Sequence, residues 1–387
     1  MTLKRNSKLF LVLFLGTLSA FGPFVTDLYL PALPTMSSYF NSSTSTIQLT
    51  LTGSMVGLAL GQLLIGPISD KYGRKNPLII SLIVYLISTI AIIIFPNVYA
   101  MIALRFIQGV SSAGAVVISR AISTDLYHGR ELAAFFALLM AVNGLAPILS
   151  PILGSLLLEL TDWRGIFVTL ALIGVILLAV SFKFNESLAI EKRLDLPITK
   201  TYYSIVHVAK NRLFFALVII QGFALATMFA YIAASPFILQ THYSLSPLMY
   251  SLCFGLNGFA IVLGSKNAGN FKEKISIKLG LSLMLLVSIY LAVALTLTLP
   301  FLFIEVGFFL LLLGLGFILP AGSAIAMSLE RERAGSASAF FGFVPFFLGG
   351  VVSPLVGIGN IFHSSAIAIV ICSTISFITF KLVEKKI

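Results

Sequence analysis

The chain has 387 residues, of which 58% are hydrophobic and only 10% charged, with a formal net charge of +11. A soluble domain carries about 25% charged residues, so this composition excludes a water-soluble domain and points to an integral membrane protein. The basic excess is spread over several short loops, which excludes a nucleic-acid surface and makes the charge a topology signal.

In chain order, residues 9–26 and 28–69 contain no Asp, Glu, Lys or Arg, and Asp27 lies between them. With a polar turn over 34–46 they supply the first two spans, each of about 20 residues. The first stretch has a basic flank, but it is too long for a cleaved signal and is read as a retained span. Residues 76–104 break at Pro96 and Asn97. That leaves a third span before the break and a fourth that runs through Arg105 to about Ala121. Residues 132–158 and 165–182 give the fifth and sixth. A polar segment holding Pro197 follows, with a short amphipathic helix expected over 198–210. Residues 213–265 divide at 240–247 into the seventh and eighth spans, 279–304 is the ninth and 306–329 the tenth. Residues 334–380 divide at 359–365 into the eleventh and twelfth. The expectation is an all-α integral membrane protein of twelve transmembrane helices. It divides into an N-terminal six-helix half (1–184), a cytoplasmic linker (185–211) and a C-terminal six-helix half (212–387).

Lys and Arg concentrate in alternate loops: Lys71, Arg74 and Lys75 after the second span, Arg130 after the fourth, Lys192 to Arg212 after the sixth. Lys266 to Lys278, Arg331 with Arg333, and Lys381 to Lys386 continue the pattern. The intervening loops hold little beyond Arg164, which places both termini in the cytoplasm.

An ionisable side chain in a bilayer costs at least ~2.5–3.5 kcal/mol, so packing alone does not retain one. Asp27 lies seven residues before Pro34, and Arg105 lies seven after Val98. At 1.5 Å per residue both are roughly 10 Å deep, which allows a pair or a water-bridged couple. A proton or substrate role is the favoured reading of that couple; a static ion pair is the competing one. The corresponding positions of the second half are apolar, which assigns ion coupling to the first half. Glu305 is expected near the outer interface, its carboxylate reaching water.

The segment from Gly66 to Lys75, with Asp70, Gly73 and Arg74, is the most specific pattern, because a plain basic loop needs no such Gly and Asp spacing. Gly144, Pro147, Pro151 and Gly154 put two helix-bending prolines into the fifth span. Gly53, Gly57 and Gly61 form a face of small residues for close helix packing. Gln108-Gly109 and Leu313-Gly314 are a faint echo between the halves, followed at equal distances by Asp125 and Glu330. Polar or aromatic residues expected to line a substrate cavity are Tyr29, Gln108, Asn143, Gln221, Phe229, Tyr231 and Asn257. Cys253 and Cys372 are read as packing residues. No cofactor or metal is expected, and no nucleophile–base set argues for an enzyme.

The 66–75 segment resembles the signature between the second and third spans of the major facilitator superfamily. Leu104-Arg-Phe-Ile-Gln-Gly109 is similar to its proton-linked fourth-span motif, and the Gly/Pro run of the fifth span to its antiporter motif. Thr26-Asp-Leu-Tyr-Leu-Pro, Thr124-Asp-Leu-Tyr-His-Gly-Arg-Glu131, Asp162-Trp-Arg-Gly-Ile-Phe167 and Ala334-Gly-Ser-Ala-Ser-Ala339 narrow the likeness to drug:proton antiporters of the bicyclomycin-resistance type. The chain departs from the pattern at Ala146 and Ser150, which precede the prolines where Gly is usual. The loop after the eighth span also lacks a clear second Asp-x-x-Gly-Arg signature. The resemblance implies a monomeric, proton-coupled exporter of drugs or other small organic molecules in the inner membrane; the alternative reading is a proton-coupled transporter of a physiological metabolite such as a siderophore, in either direction. By position it implies that Asp27 and Arg105 couple protons to transport. Gly66, Asp70, Gly73, Arg74 and Asp125 would form a conformational latch.

Overall fold

A computed structural model describes the backbone of residues 7–193, 198–330 and 333–386. Among the described residues it is helical, and eleven helices are long and apolar enough to cross a membrane. The shorter apolar stretch Gly144–Leu160 belongs to a twelfth long helix, Gly129–Leu160. In chain order the helices are α1 (Lys8–Asp27), a short α2 (Leu33–Tyr39), α3 (Thr44–Tyr72), α4 (Lys75–Ile94), α5 (Val98–Leu126), α6 (Gly129–Leu160) and α7 (Trp163–Lys183). The expected linker helix is α8 (Ile198–Ala209). Then come α9 (Arg212–Pro236), which runs into a π-turn at Phe237–His242, α10 (Pro247–Ala268), α11 (Glu273–Thr296), α12 (Phe301–Leu329), α13 (Ala334–Leu355) and α14 (Ile361–Val383).

The twelve long helices agree with the expected spans, with one informative difference at the first. A continuous helix to Pro34 was expected, but α1 ends at Asp27 and gives way to a 3-10 turn over Leu30–Ala32. Pro31 has no N–H to donate to the Asp27 carbonyl four residues earlier, and its ring crowds that carbonyl. The sequence therefore places the only acid of the first span at a break in its backbone.

The chain forms two compact units. One comprises Met1–Leu30 with Gly53–Thr201, the other Pro31–Thr52 with Tyr202–Ile387. In the first, α1 packs on α5 and α6, and α4 on α5 and α7. In the second, α12 packs on α9, α10 and α11, and α14 on α9 and α11. The 31–52 segment is tied into the second unit by Gln48 Nε2, which donates to Ala233 O at 2.8 Å, and Gln240 Nε2, which donates to Pro31 O at 3.2 Å.

Small residues set the spacing of the helices that carry the site. A Cβ on Gly57 would lie 2.2 Å from Phe106 O, and one on Gly109 the same distance from Ser54 O. Only glycine lets α3 and α5 approach this closely, and the approach brings Ser54 beside Arg105.

Candidate functional site

Arg105, one of the largest fully buried side chains, is 0% exposed. Its guanidinium donates from Nη2 to Val25 O and Ser54 Oγ, both at 3.0 Å, and from Nη1 to Gln108 Oε1. The Tyr29 ring lies 4.2 Å and the Phe167 ring 5.7 Å from the guanidinium carbon. A desolvated cation against an aromatic face gains about 2 kcal/mol, which helps offset the loss of water. Gln108 is held in turn: its Nε2 donates to Thr89 Oγ1 at 2.7 Å, and that hydroxyl donates to Tyr85 O at 2.7 Å.

Asp27 is 8% exposed and lies within the electrostatic reach of Arg105. The two do not form the direct fork-to-fork pair that equal depth allowed. Three hydrogen bonds of the guanidinium go to the neutral acceptors Gln108, Val25 and Ser54, and its charge acts on Asp27 without an ion pair between them. Gly154 of α6 lies against the break at the end of α1, where a Cβ would come within 1.9 Å of Leu28 O. Gly144 has no atom that near, so only one of the two glycines in the fifth-span run is sterically required. Pro147 and Pro151 lie within a continuous α6.

The expected cavity residues separate into two groups, each enclosed in its own unit. Tyr29 and Gln108 are fully buried and touch Arg105, Gln108 by a hydrogen bond and Tyr29 by its ring face. In the second unit Phe229 packs on Phe346, and Gln221 Nε2 lies 3.4 Å from Ser323 Oγ. Tyr231 and Asn257 meet: Asn257 Nδ2 lies 3.0 Å from Tyr231 Oη and 3.0 Å from Glu305 Oε1. Glu305 is therefore not an interfacial acid reaching water. It is 6% exposed, because α9 and α10 both pack over its end of α12. The Asn143 side chain lies outside the described residues.

The third constellation lies where α3 and α4 meet, on the face carrying the Lys- and Arg-rich loops. The 66–75 segment is less of a loop than expected, because α3 continues through Pro67 to Tyr72 and only Gly73 and Arg74 turn the chain. Gly73 has φ +87°, the left-handed region that favours glycine. Arg74, 5% exposed, donates from Nε to Asp125 Oδ2 at 2.9 Å, from Nη2 to Asp125 Oδ1 at 3.2 Å, and from Nη1 to Asp70 and to Ser69 Oγ. Burial pulls the Arg74 pKa down, but the hydrogen bonds and charge of Asp125 and then Asp70 outweigh it and hold it above its ordinary value. Gly66 joins through its backbone, its carbonyl accepting from Ser69 Oγ at 2.8 Å, whereas a Cβ there would meet Val117 at an ordinary 3.7 Å.

Two residues passed over in the sequence complete this cluster. Glu186 Oε1 accepts from Arg74 N at 3.0 Å, and its Oε2 accepts from Lys75 N at 3.1 Å. The carboxylate thus caps the start of α4, where a negative charge complements the helix dipole. Ser187 Oγ donates to Asp125 Oδ2 at 2.9 Å. The signal was a lone Glu just beyond a helix end, at the start of the longest polar segment. Among the described residues no group of three or more His, Cys, Asp or Glu side chains could hold a metal ion.

The Major Facilitator Superfamily model matches residues 9–354. The chain belongs to that superfamily. An uncharacterized MFS-type transporter, YdgK, of Bacillus subtilis (strain 168) is 36% identical over 362 residues, covering 92% of this chain and 90% of the relative. A bicyclomycin resistance protein homolog of Haemophilus influenzae is 28% identical over 273 residues, covering 70% of this chain and 69% of its own. Among solved structures, the bacterial homolog of the human lysosomal transporter Spinster, in its inward-facing and occupied conformation, has a TM-score of 0.75. It is 14% identical and covers 98% of both chains, which speaks to the fold. The protein is a multi-pass membrane transporter of small molecules, not an enzyme.

Proposed function

We propose that this transporter is a proton-coupled exporter of drugs or other small organic molecules, working as a monomer in the inner membrane with both termini cytoplasmic. The observation that carries the reading is the placement of Asp27, a buried acid at a break in α1, within the field of a fixed, fully enclosed Arg105. The likeness to a bicyclomycin resistance protein homolog supports the choice of cargo.

When the site opens outward, water hydrates Asp27 and it takes a proton. Neutralisation removes the cost of burying a carboxylate, which favours closure and opening to the other side. Facing the cytoplasm, renewed hydration and the Arg105 charge favour the ionised form, so the proton leaves as substrate enters. One proton crossing 100 mV supplies ~2.3 kcal/mol, to which the pH difference adds. Arg74, Asp70 and Asp125 act as a latch on the cytoplasmic face, with Glu186 and Ser187 fastening the linker to it.

A growth-inhibition panel across chemically diverse antibiotics and dyes tests this reading. Cells expressing the wild type should tolerate at least one compound better than cells expressing equal amounts of Asp27→Asn. If both confer the same tolerance, Asp27 does not couple export.

A further inference from the structure

We propose that Glu305, with Asn257 and Tyr231, forms a second proton-binding site in the second unit, loaded from the outer face. Its place in the transport cycle rests on the proton-coupled reading above, but its proton occupancy does not. The geometry is that of an acid built into an apolar half without a counter-charge. Residues 213–265, 279–329 and 334–380 contain no Lys or Arg, and Glu305 is their only acid. Glu305 Oε1 accepts from Asn257 Nδ2 at 3.0 Å, whereas Glu305 Oε2 and Asn257 Oδ1 are buried with no hydrogen-bond partner. Two unsatisfied acceptors on two side chains already joined to each other lack one hydrogen. A proton on the carboxyl supplies it, turning one of the acceptors into a donor.

The groups around the carboxyl cannot neutralise it in any other way. Tyr231 faces it from α9, and the Cys253 thiol of α10 is a further weak donor to it, with Tyr250 beside Tyr231. From α11, Tyr290 donates its hydroxyl to Phe303 O, and α13 carries no titratable side chain among its described residues. His242, in the π-turn, packs its ring on Tyr243 and Phe362. None of these is a permanent cation, so burial of Glu305 requires the neutral acid. The carboxyl lies in the first turn and a half of α12. On the proposed orientation that is the outer end, roughly 6 Å from the helix start, a short path for a proton from the acidic side.

The test uses the wild-type protein in right-side-out vesicles with clamped internal pH. Dicyclohexylcarbodiimide reacts only with proton-bearing carboxyls: the acid O–H adds across one C=N bond, and acyl migration leaves a stable N-acylurea. Peptide mass spectrometry should find the adduct on Glu305 at low external pH. It should fall about tenfold for each pH unit above the midpoint, the slope of a single proton. Infrared difference spectra of the purified protein in lipid give a second measurement, a protonated-carboxyl band that titrates in the wild type and is missing from Glu305→Gln. Absence of both adduct and band at every pH overturns the proposal. An adduct that ignores external pH, or follows only the internal pH, overturns exchange with the outer face. Asp27→Asn should keep the Glu305 adduct. If that variant also keeps full export, the coupling reading fails while the Glu305 site stands on its own labelling.

Discussion

In the first unit a guanidinium is buried against two side-chain acceptors, a backbone carbonyl and two aromatic rings. In the second, a carboxyl is buried against one amide and a thiol, with a phenol beyond the amide and no Lys or Arg in the stretches 213–265, 279–329 and 334–380. The first arrangement can hold its charge permanently, because neighbouring dipoles replace the lost water. The second tolerates burial only while it is neutral. The basic face repeats the contrast: Asp125 receives the Arg74 guanidinium, whereas Glu330, its counterpart in the echo between the halves, accepts from the Asn211 amide at 2.7 Å. At Asp125 an acid is held by a guanidinium, and at Glu330 by a neutral amide.

The largest effect expected from this contrast concerns stability at the two buried ionisable groups. Arg105→Met strips Gln108, Ser54 and Val25 of a donor and leaves Asp27 without its nearby charge. It should cost about 3–5 kcal/mol, as for breaking a buried charged network. Glu305→Gln mimics the neutral acid and should cost under about 1 kcal/mol. Thermal unfolding in detergent measures both, and equal losses would break the comparison. A smaller difference is expected at the basic face. Arg74→Met should cost about 2 kcal/mol through lost charge-assisted hydrogen bonds, against less than about 1 kcal/mol for Glu330→Gln.

Within the first unit, Glu186→Gln keeps one oxygen for the start of α4 and loses the charge, at a cost of about 1 kcal/mol. Faster hydrogen exchange at the Arg74 and Lys75 amides should report it, and unchanged exchange would remove Glu186 from the latch. Gly66→Ala should be silent within about 0.5 kcal/mol, since its Cβ has ordinary room. Gly73→Ala forces an L side chain to φ +87° and should cost about 1–2 kcal/mol.

The spans were legible because uncharged runs and polar breaks are read directly from composition, but not every boundary: the ninth was expected to reach residue 304, whereas α11 ends at Thr296 and α12 begins at Phe301. Asp27, Arg105 and the Asp70–Arg74 spacing were legible for the same reason, as charges where charge is costly. What the sequence did not disclose was partnership. Glu186 and Ser187 join a cluster more than 50 residues earlier, which no local pattern encodes. Depth along a helix also said nothing of lateral cover: Glu305 is near an end of α12 yet enclosed by α9 and α10. Nor did it show that Tyr29, just past the end of α1, and Gln108 of α5 meet at Arg105.

The central claim is that Asp27 gains and loses a proton as cargo moves. Everted membrane vesicles with an acidified lumen and a pH-sensitive dye measure it most directly, using a compound to which the wild type confers tolerance. Adding that compound should release luminal protons through the wild type and not through Asp27→Asn present at equal abundance. Proton release of equal size from Asp27→Asn would contradict the account.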